Sequence, residues 1–183
     1  MAELLNEKER GYLFGLFEGD GYKYHDKKSR HYHVEFYLNS LRDKKIISFL
    51  VCLLKKYGLN PSVYLDKRYN CKRIRVYNKS FFEVISKNIK LYNKSKRFNT
   101  GFVSGLIDSE GHVNNKKHYI MIINTNKKML ISCKKFLESI GILSSISKRT
   151  RSIKDKRDSY RMYISVNFKR LNHVSIKAGM VLG

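Results

Sequence analysis

Negative charge is scarce in this sequence: 15 Asp plus Glu stand against 38 Lys plus Arg over 183 residues, leaving a formal charge of +23 and a pI near 10. A chain with that imbalance repels itself when compact, which points to a polyanionic partner, nucleic acid first, with a merely solvated basic surface as the alternative. Charge does not separate binding from cutting. Cysteine is also sparse: Cys52, Cys71 and Cys133 are odd in number, far apart and without a CxxC pair, which excludes a disulfide framework and a zinc ribbon and leaves three structural thiols. No apolar run approaches the roughly 18 residues of a membrane span. The opening MAELLNEKER carries acids where a secretory leader has a basic start and an apolar stretch. An intracellular protein is expected, with an organelle left open.

What is present is an ordinary apolar content, 42%, enough to fill a core in one or two domains. Of the six histidines, His31 and His33 would share one face of a strand, but no further ligand cluster lies nearby, so exposed polar side chains are expected there.

The chain is written twice. Residues 11 to 21, GYLFGLFEGDG, recur as GFVSGLIDSEG at residues 101 to 111, an offset of 90. Each copy has a small residue at every fourth position: Gly11, Gly15 and Gly19, then Gly101, Gly105 and Ser109. At 3.6 residues per turn these form one stripe along which two helix backbones can approach closely, compensating the cost of glycine inside a helix. Further matches are Gly58-Leu59 with Gly141-Ile142, at an offset of 83, and Asn39-Ser40 with Asn124-Thr125, at 85. Between these landmarks each half reads as a helix, two strands, a second helix, two strands and a third helix: an α+β fold of two pseudo-symmetric αββαββα halves.

Side-chain alternation predicts one antiparallel sheet per half, helices on one face and the other face open. Ile74 and Val76 oppose Arg73, Arg75 and Tyr77; Val34, Phe36 and Leu38 oppose His33, Glu35, Tyr37 and Asn39. In the second half Met162, Ile164 and Val166 oppose Arg161, Tyr163, Ser165 and Asn167, whereas Ile120, Ile122 and Ile123 blur the pattern, leaving only Asn124 assigned. Basic turns at residues 26–31, 66–73, 114–118 and 148–157, the last carrying Arg149 and Arg151, would track phosphates while the open faces read base edges.

In both copies an acid follows the last small residue, Asp20 after Gly19 and Glu110 after Ser109, and a helix-ending glycine follows the acid, Gly21 or Gly111. Packed side by side, the two helices would bring these carboxylates together at the negative ends of two helix dipoles, a repulsion that a cation relieves. Hard oxygen ligands suit Mg²⁺ and metal-assisted attack of water on phosphodiesters. Glu18 and Asp108, two positions earlier, lie on another face of the helix and fit structural roles.

LFGLFEGDG at residues 13 to 21 and VSGLIDSEG at residues 103 to 111 resemble the paired motif of LAGLIDADG homing endonucleases, and the resemblance runs from about Gly11 to Ala178. It implies a saddle-shaped surface for double-stranded DNA with a long target site. It also implies a monomeric single-chain enzyme and Mg²⁺-dependent cleavage of both strands across the minor groove, leaving 3′ overhangs, with Mn²⁺ as a substitute. On this resemblance Asp20 and Glu110 fall on catalytic metal-ligand positions and the carbonyls of Gly19 and Ser109 on backbone metal contacts. A departure is expected at the edge of the site: where the family often has Gln followed by Lys, this sequence has Asn39-Ser40 and Asn124-Thr125, neither with a cation. Arg42, Lys44, Lys127, Lys128 or a lysine from residues 94–96 are the candidate substitutes. The halves are expected at 1–92 and 100–183 with a linker at 93–99. The alternatives are an RNA-binding intron maturase and a cleavage-inactive DNA-binding protein.

Overall fold

The computed structural model describes residues 6–26, 28, 31–87, 91, 94–114, 116–150 and 157–165. Helix α1 (Glu7–Asp20) runs directly into strand β1 (Gly21–Asp26), followed by β2 (His31–Asn39), α2 (Lys44–Lys56), β3 (Ser62–Asp66), β4 (Cys71–Val76) and α3 (Lys79–Ser86). The second half repeats this order with α4 (Lys96–Glu110), β5 (Gly111–Asn114), β6 (Tyr119–Asn124), α5 (Lys127–Ser139), β7 (Ser144–Lys148) and β8 (Tyr160–Ser165). A third helix of the second half, Val166, Arg151 and Asn167 lie outside the described residues. Residues 96–99, expected as linker, are the first turn of α4, whose cap is Ser95 accepting from the Phe98 N–H at 3.1 Å.

Each half forms one antiparallel sheet, ordered β1-β2-β4-β3 and β5-β6-β8-β7. The predicted alternation is observed: Val34, Phe36, Leu38, Ile74 and Val76 are buried on the inner face of the first sheet, and Ile120, Ile122, Met162 and Ile164 on that of the second. The blurred strand resolves once its register is known, because Ile123 pairs with Arg161 and shares the outer face with it.

Helices α1 and α4 form the centre of the molecule and are buried on nearly every side, as helices flanked by other layers must be. Their contact is reciprocal. A Cβ on Gly11 would lie 2.9 Å from Phe102 N, and one on Gly101 would lie 2.9 Å from Tyr12 N, the same pair of positions exchanged through the offset of 90. Gly15 against Leu106 and Gly105 against Leu16 repeat the relation one turn on. The small-residue stripe is thus where two backbones touch, and dispersion and burial along it offset the helix cost of four glycines.

The glycines that adopt left-handed backbone lie elsewhere. Gly58 (φ 68°) ends α2 and Gly141 (φ 79°) ends α5, each followed by a residue whose N–H returns to the helix, Leu59 to Leu54 O and Ile142 to Leu137 O. Gly21 and Gly111 end α1 and α4 as expected, with φ −93° and −76° and extended ψ rather than left-handed backbone. The chain leaves each helix straight into a strand, and glycine is needed because a Cβ would press on Phe17 or Ile107 of the preceding turn.

Of the three thiols, Cys133 alone fits a structural role: it is buried, and burial pushes its pKa up to about 12. Cys52 is exposed and Cys71 half-buried. Among the described residues, no helix is long and apolar enough to cross a membrane.

Candidate functional site

The two acids singled out in the sequence are the last residues of the two central helices, Asp20 of α1 and Glu110 of α4. The helices meet there at equivalent positions: a Cβ on Gly19 would lie 2.9 Å from Glu110 Cγ and would strike Ser109 as well. Ser109 turns its hydroxyl back onto its own helix, donating to Gly105 O and Leu106 O at 3.1 Å, so it occupies little more room than the glycine it replaces. Two carboxylates therefore end two helices that touch at Gly19 and Ser109, where the last-turn carbonyls, those of Gly19 and Ser109 among them, point out of the helix ends. The two carboxylates and the last-turn carbonyls offer hard oxygen donors here.

Two positions earlier the pseudo-symmetry breaks. Asp108 is fully buried and accepts a hydrogen bond from Tyr12 Oη at 2.9 Å, across the helix pair. Burial and the facing carboxylate together hold the Tyr12 phenol well above its ordinary pKa. The position equivalent to Tyr12 is Phe102, which has no donor, and Glu18 is exposed.

The strand ends beside the acids differ from expectation. Gly21 pairs with Phe36 and Gly111 with Ile122, which equates Asn39 with Thr125, not with Asn124. Asn39 accepts through Oδ1 from Leu41 N–H and Arg42 N–H, and Asn124 accepts from Asn126 N–H at 2.8 Å. Each asparagine is holding a turn, which any residue near a strand end can do, and the shared residue type misled the alignment. Of the candidate cations, Lys96 sits at the opposite end of α4 from Glu110, roughly 20 Å away at 1.5 Å per residue, with Lys94 over the Phe98 ring at that same end. Lys44 and Lys127 begin α2 and α5, immediately after the turns.

The outer face of the first sheet carries every residue assigned to it from the sequence, and more. Pairing aligns Tyr22 with Glu35, Glu35 with Arg75, Tyr37 with Arg73, and Arg73 with Tyr64. Glu35 is only 1% exposed despite facing outward, because its neighbours close over it. Tyr37 Oη donates to Glu35 Oε2, Arg75 Nε donates to Glu35 Oε1, and His33 Nε2 lies 3.7 Å from the same oxygen. Burial, then the hydrogen bond to Glu35, pushes the Tyr37 pKa up to about 12; burial lowers that of His33.

Arg75 Nη1 donates to Tyr77 Oη at 2.7 Å, and its guanidinium lies 5.6 Å from the ring centres of both Tyr64 and Tyr77. Arg73 donates to Asp66 Oδ2 at 2.6 Å, and Asp66 also accepts from Arg68 side-chain and backbone N–H groups. Those two arginines hold the Asp66 carboxyl at a pKa of about 2. Asp66, Tyr64, Tyr22 and Tyr24 were not among the residues assigned from the sequence; period-two alternation on β1 and β3 is the signal that finds them.

The outer face of the second sheet presents Arg161, Tyr163 and Ser165, with Tyr119, Met121 and Ile123 beside them. The rings of Tyr119 and Tyr163 meet edge to face at 5.4 Å. Arg149 follows β7 and donates its backbone N–H to Ser159 O at 2.9 Å.

A family model described as LAGLIDADG-like domain matches residues 7–90 and again 97–173. Two uncharacterized proteins of Methanocaldococcus jannaschii are similar, one 27% identical over 148 residues (79% of this chain, 53% of the relative) and one 30% identical over 158 residues (78% and 58%). The chain thus spans a little over half the length of these relatives. Among solved structures, I-DmoI in complex with DNA and Mn is similar in fold at TM-score 0.70 and 22% identity, covering 92% of this chain and 96% of that one. I-DmoI in complex with DNA and Ca gives 0.71 at 21%, covering 96% and 97%. The N-terminal LAGLIDADG domain of WhiA gives 0.59 at 20%, covering 87% and 76%. With the motif present in both halves, each copy ending one of two reciprocally packed central helices, this chain belongs to the LAGLIDADG family.

Proposed function

We propose that this chain is a site-specific DNA endonuclease of the homing type, which acts as a monomer and hydrolyses one phosphodiester in each strand of a long duplex site, leaving 3′ overhangs. The observation that carries the reading is the pair of carboxylates, Asp20 and Glu110, ending two helices that touch at Gly19 and Ser109 between two outward-facing sheets. The fold is shared with I-DmoI, a homing endonuclease whose structures contain DNA with Mn or Ca.

The donor set suits a divalent cation of the Mg²⁺ type: two carboxylates, with the last-turn carbonyls of Gly19 and Ser109, leave room for water and phosphate oxygens. Bound there, Mg²⁺ or Mn²⁺ would supply Lewis-acid stabilisation and a water of lowered pKa. Asp20 and Glu110 would bind and orient it. The tight Gly19–Ser109 contact fixes the separation of the two acids, and the sheets hold the duplex by phosphate contacts and base edges. A compensating cation is absent from Asn39, Ser40, Asn124 and Thr125, so lysines such as Lys44 and Lys127, at the starts of α2 and α5, would carry any phosphate contact beside the acids.

The test is incubation of the purified protein with the uninterrupted version of its host locus, in Mg²⁺ and in EDTA, for wild type and Asp20→Asn. Linear product broken at one position, formed only by wild type with Mg²⁺, is the expected outcome. Tight, salt-sensitive binding with no cleavage under any condition would replace the endonuclease with a DNA-binding or intron-RNA-binding protein on the same fold.

A further inference from the structure

We propose that the two halves read DNA by different means: the first sheet fixes Arg73 and Arg75 as guanine readers, with Glu35 as the residue that positions Arg75, so that sequence specificity is concentrated in the half-site under that sheet. This rests on the DNA-cleaving reading above.

The first observation is a carboxylate buried on an outward-facing surface. Both oxygens of Glu35 are taken, one by Tyr37 Oη and one by Arg75 Nε. Arg75 is further fixed by donating to Tyr77 Oη at 2.7 Å and by the Tyr64 and Tyr77 rings, whose centres each lie 5.6 Å from its guanidinium. A guanidinium has five N–H groups. Arg75 spends the Nε–H and one on Nη1 within the protein, which leaves an Nη1/Nη2 fork of the kind that meets guanine O6 and N7. Arg73 is held through its terminal Nη2, which donates to Asp66 Oδ2 at 2.6 Å, with its guanidinium 5.8 Å from the Tyr37 ring centre, so that one N–H of Nη2 and both of Nη1 remain for a base.

Charge decides what these arginines are for. An arginine that only neutralises phosphate gains nothing from a carboxylate beside it, because the pair adds little net positive charge and the acid repels the backbone. A chain with 38 Lys plus Arg has cations to spare for phosphate. A base reader does gain: a guanidinium already held in its fork geometry loses less side-chain freedom on binding, and a wrong base leaves it unmatched.

The second sheet keeps one of the two arginines and none of the carboxylates that hold them. Strand register equates Glu35 with Met121, Arg75 with Tyr163 and Arg73 with Arg161, and Arg149 stands at the place of Asp66. Among the described residues Arg161 makes no ion pair with a carboxylate, and its Nε is buried without a hydrogen-bond partner. That face offers hydroxyls, Ser145, Ser147 and Tyr163, which discriminate poorly between bases.

The experiment selects bound sequences from a duplex library randomised across the full site length, in EDTA so that binding alone is read, with wild type, Glu35→Gln, Arg75→Lys and Arg161→Ala. Wild type is expected to enrich G·C pairs clustered in one half of the site. Glu35→Gln and Arg75→Lys are expected to lower preference at those same pairs about 10- to 100-fold, leaving the other half of the profile unchanged, and Arg161→Ala to act only in that other half. Circular dichroism melts establish that each variant is folded, and Arg75→Lys keeps the charge while removing the fork, so it stands if Glu35→Gln unfolds. Equal information in both halves, or loss spread over both by Glu35→Gln, overturns the proposal while leaving the endonuclease in place. Failure of wild type to enrich any sequence overturns both.

Discussion

At the scale of single residues, the second copy of the motif is not a repeat of the first in chemistry. Tyr12 and Asp108 make a buried hydrogen bond across the central helices, and the equivalent Phe102 makes none. Tyr12→Phe removes a charge-assisted hydrogen bond to a buried carboxylate, so a loss of about 1–3 kcal/mol is expected in urea denaturation. Asp66 behaves in the opposite sense to a buried acid. Arg68 and Arg73 depress its pKa from 3.8 to about 2, so its contribution to stability is complete above pH 3.8 and disappears as pH falls towards 2. Carboxyl-detected NMR titration should find it ionised where the other carboxylates are half protonated, and Arg73→Ala should return it towards 3.8. The sequence located Asp20, Glu110, Arg73 and Arg75 because each sits in a repeated or alternating pattern. It could not show that Glu35 is enclosed, since burial on an outward face is made by neighbours on two other strands. Asn39 and Asn124 drew attention for their residue type, while their side chains do the ordinary work of turns.

At the scale of elements, glycine serves two physical ends that substitution separates. Gly15→Ala places a methyl against the backbone of Phe102 and Leu106, and the helices must part to admit it. A destabilisation of about 2 kcal/mol or more is expected, exceeding the gain of about 1 kcal/mol in helix propensity. Gly58→Ala meets nothing within 4 Å but forces alanine to φ 68°, for an expected cost of about 1 kcal/mol. Denaturant midpoints of the two variants measure the difference. Helix and strand order was legible because periods of 3.6 and 2 are dictated by which faces are buried, and the landmark Gly58–Gly141 was legible because a left-handed cap demands glycine. Gly21 and Gly111 were legible as the ends of their helices too, but only the backbone shows that room, not left-handed rotation, is what requires glycine there.

At the scale of the whole molecule, a charge of +23 spread over one chain sets how binding responds to salt. With roughly 6–10 phosphates contacted, affinity for duplex DNA should fall about 10³- to 10⁵-fold between 50 and 200 mM salt, read as a linear slope of log K against log salt concentration. A slope near zero would mean that the basic surface is turned away from the duplex. The reciprocal packing of α1 against α4 has a further consequence for how the chain comes into being. The partner surface for Gly11 and Gly15 lies about 90 residues downstream, so it does not exist while the first half is being made. At 5–20 residues per second this leaves an unfinished core open for roughly 5–20 s of synthesis, with the inner flank of α1 exposed on the ribosome. The interface that later joins the two acids therefore closes only after α4 has been made, and the first half must wait, unsealed, for the arrival of its own copy.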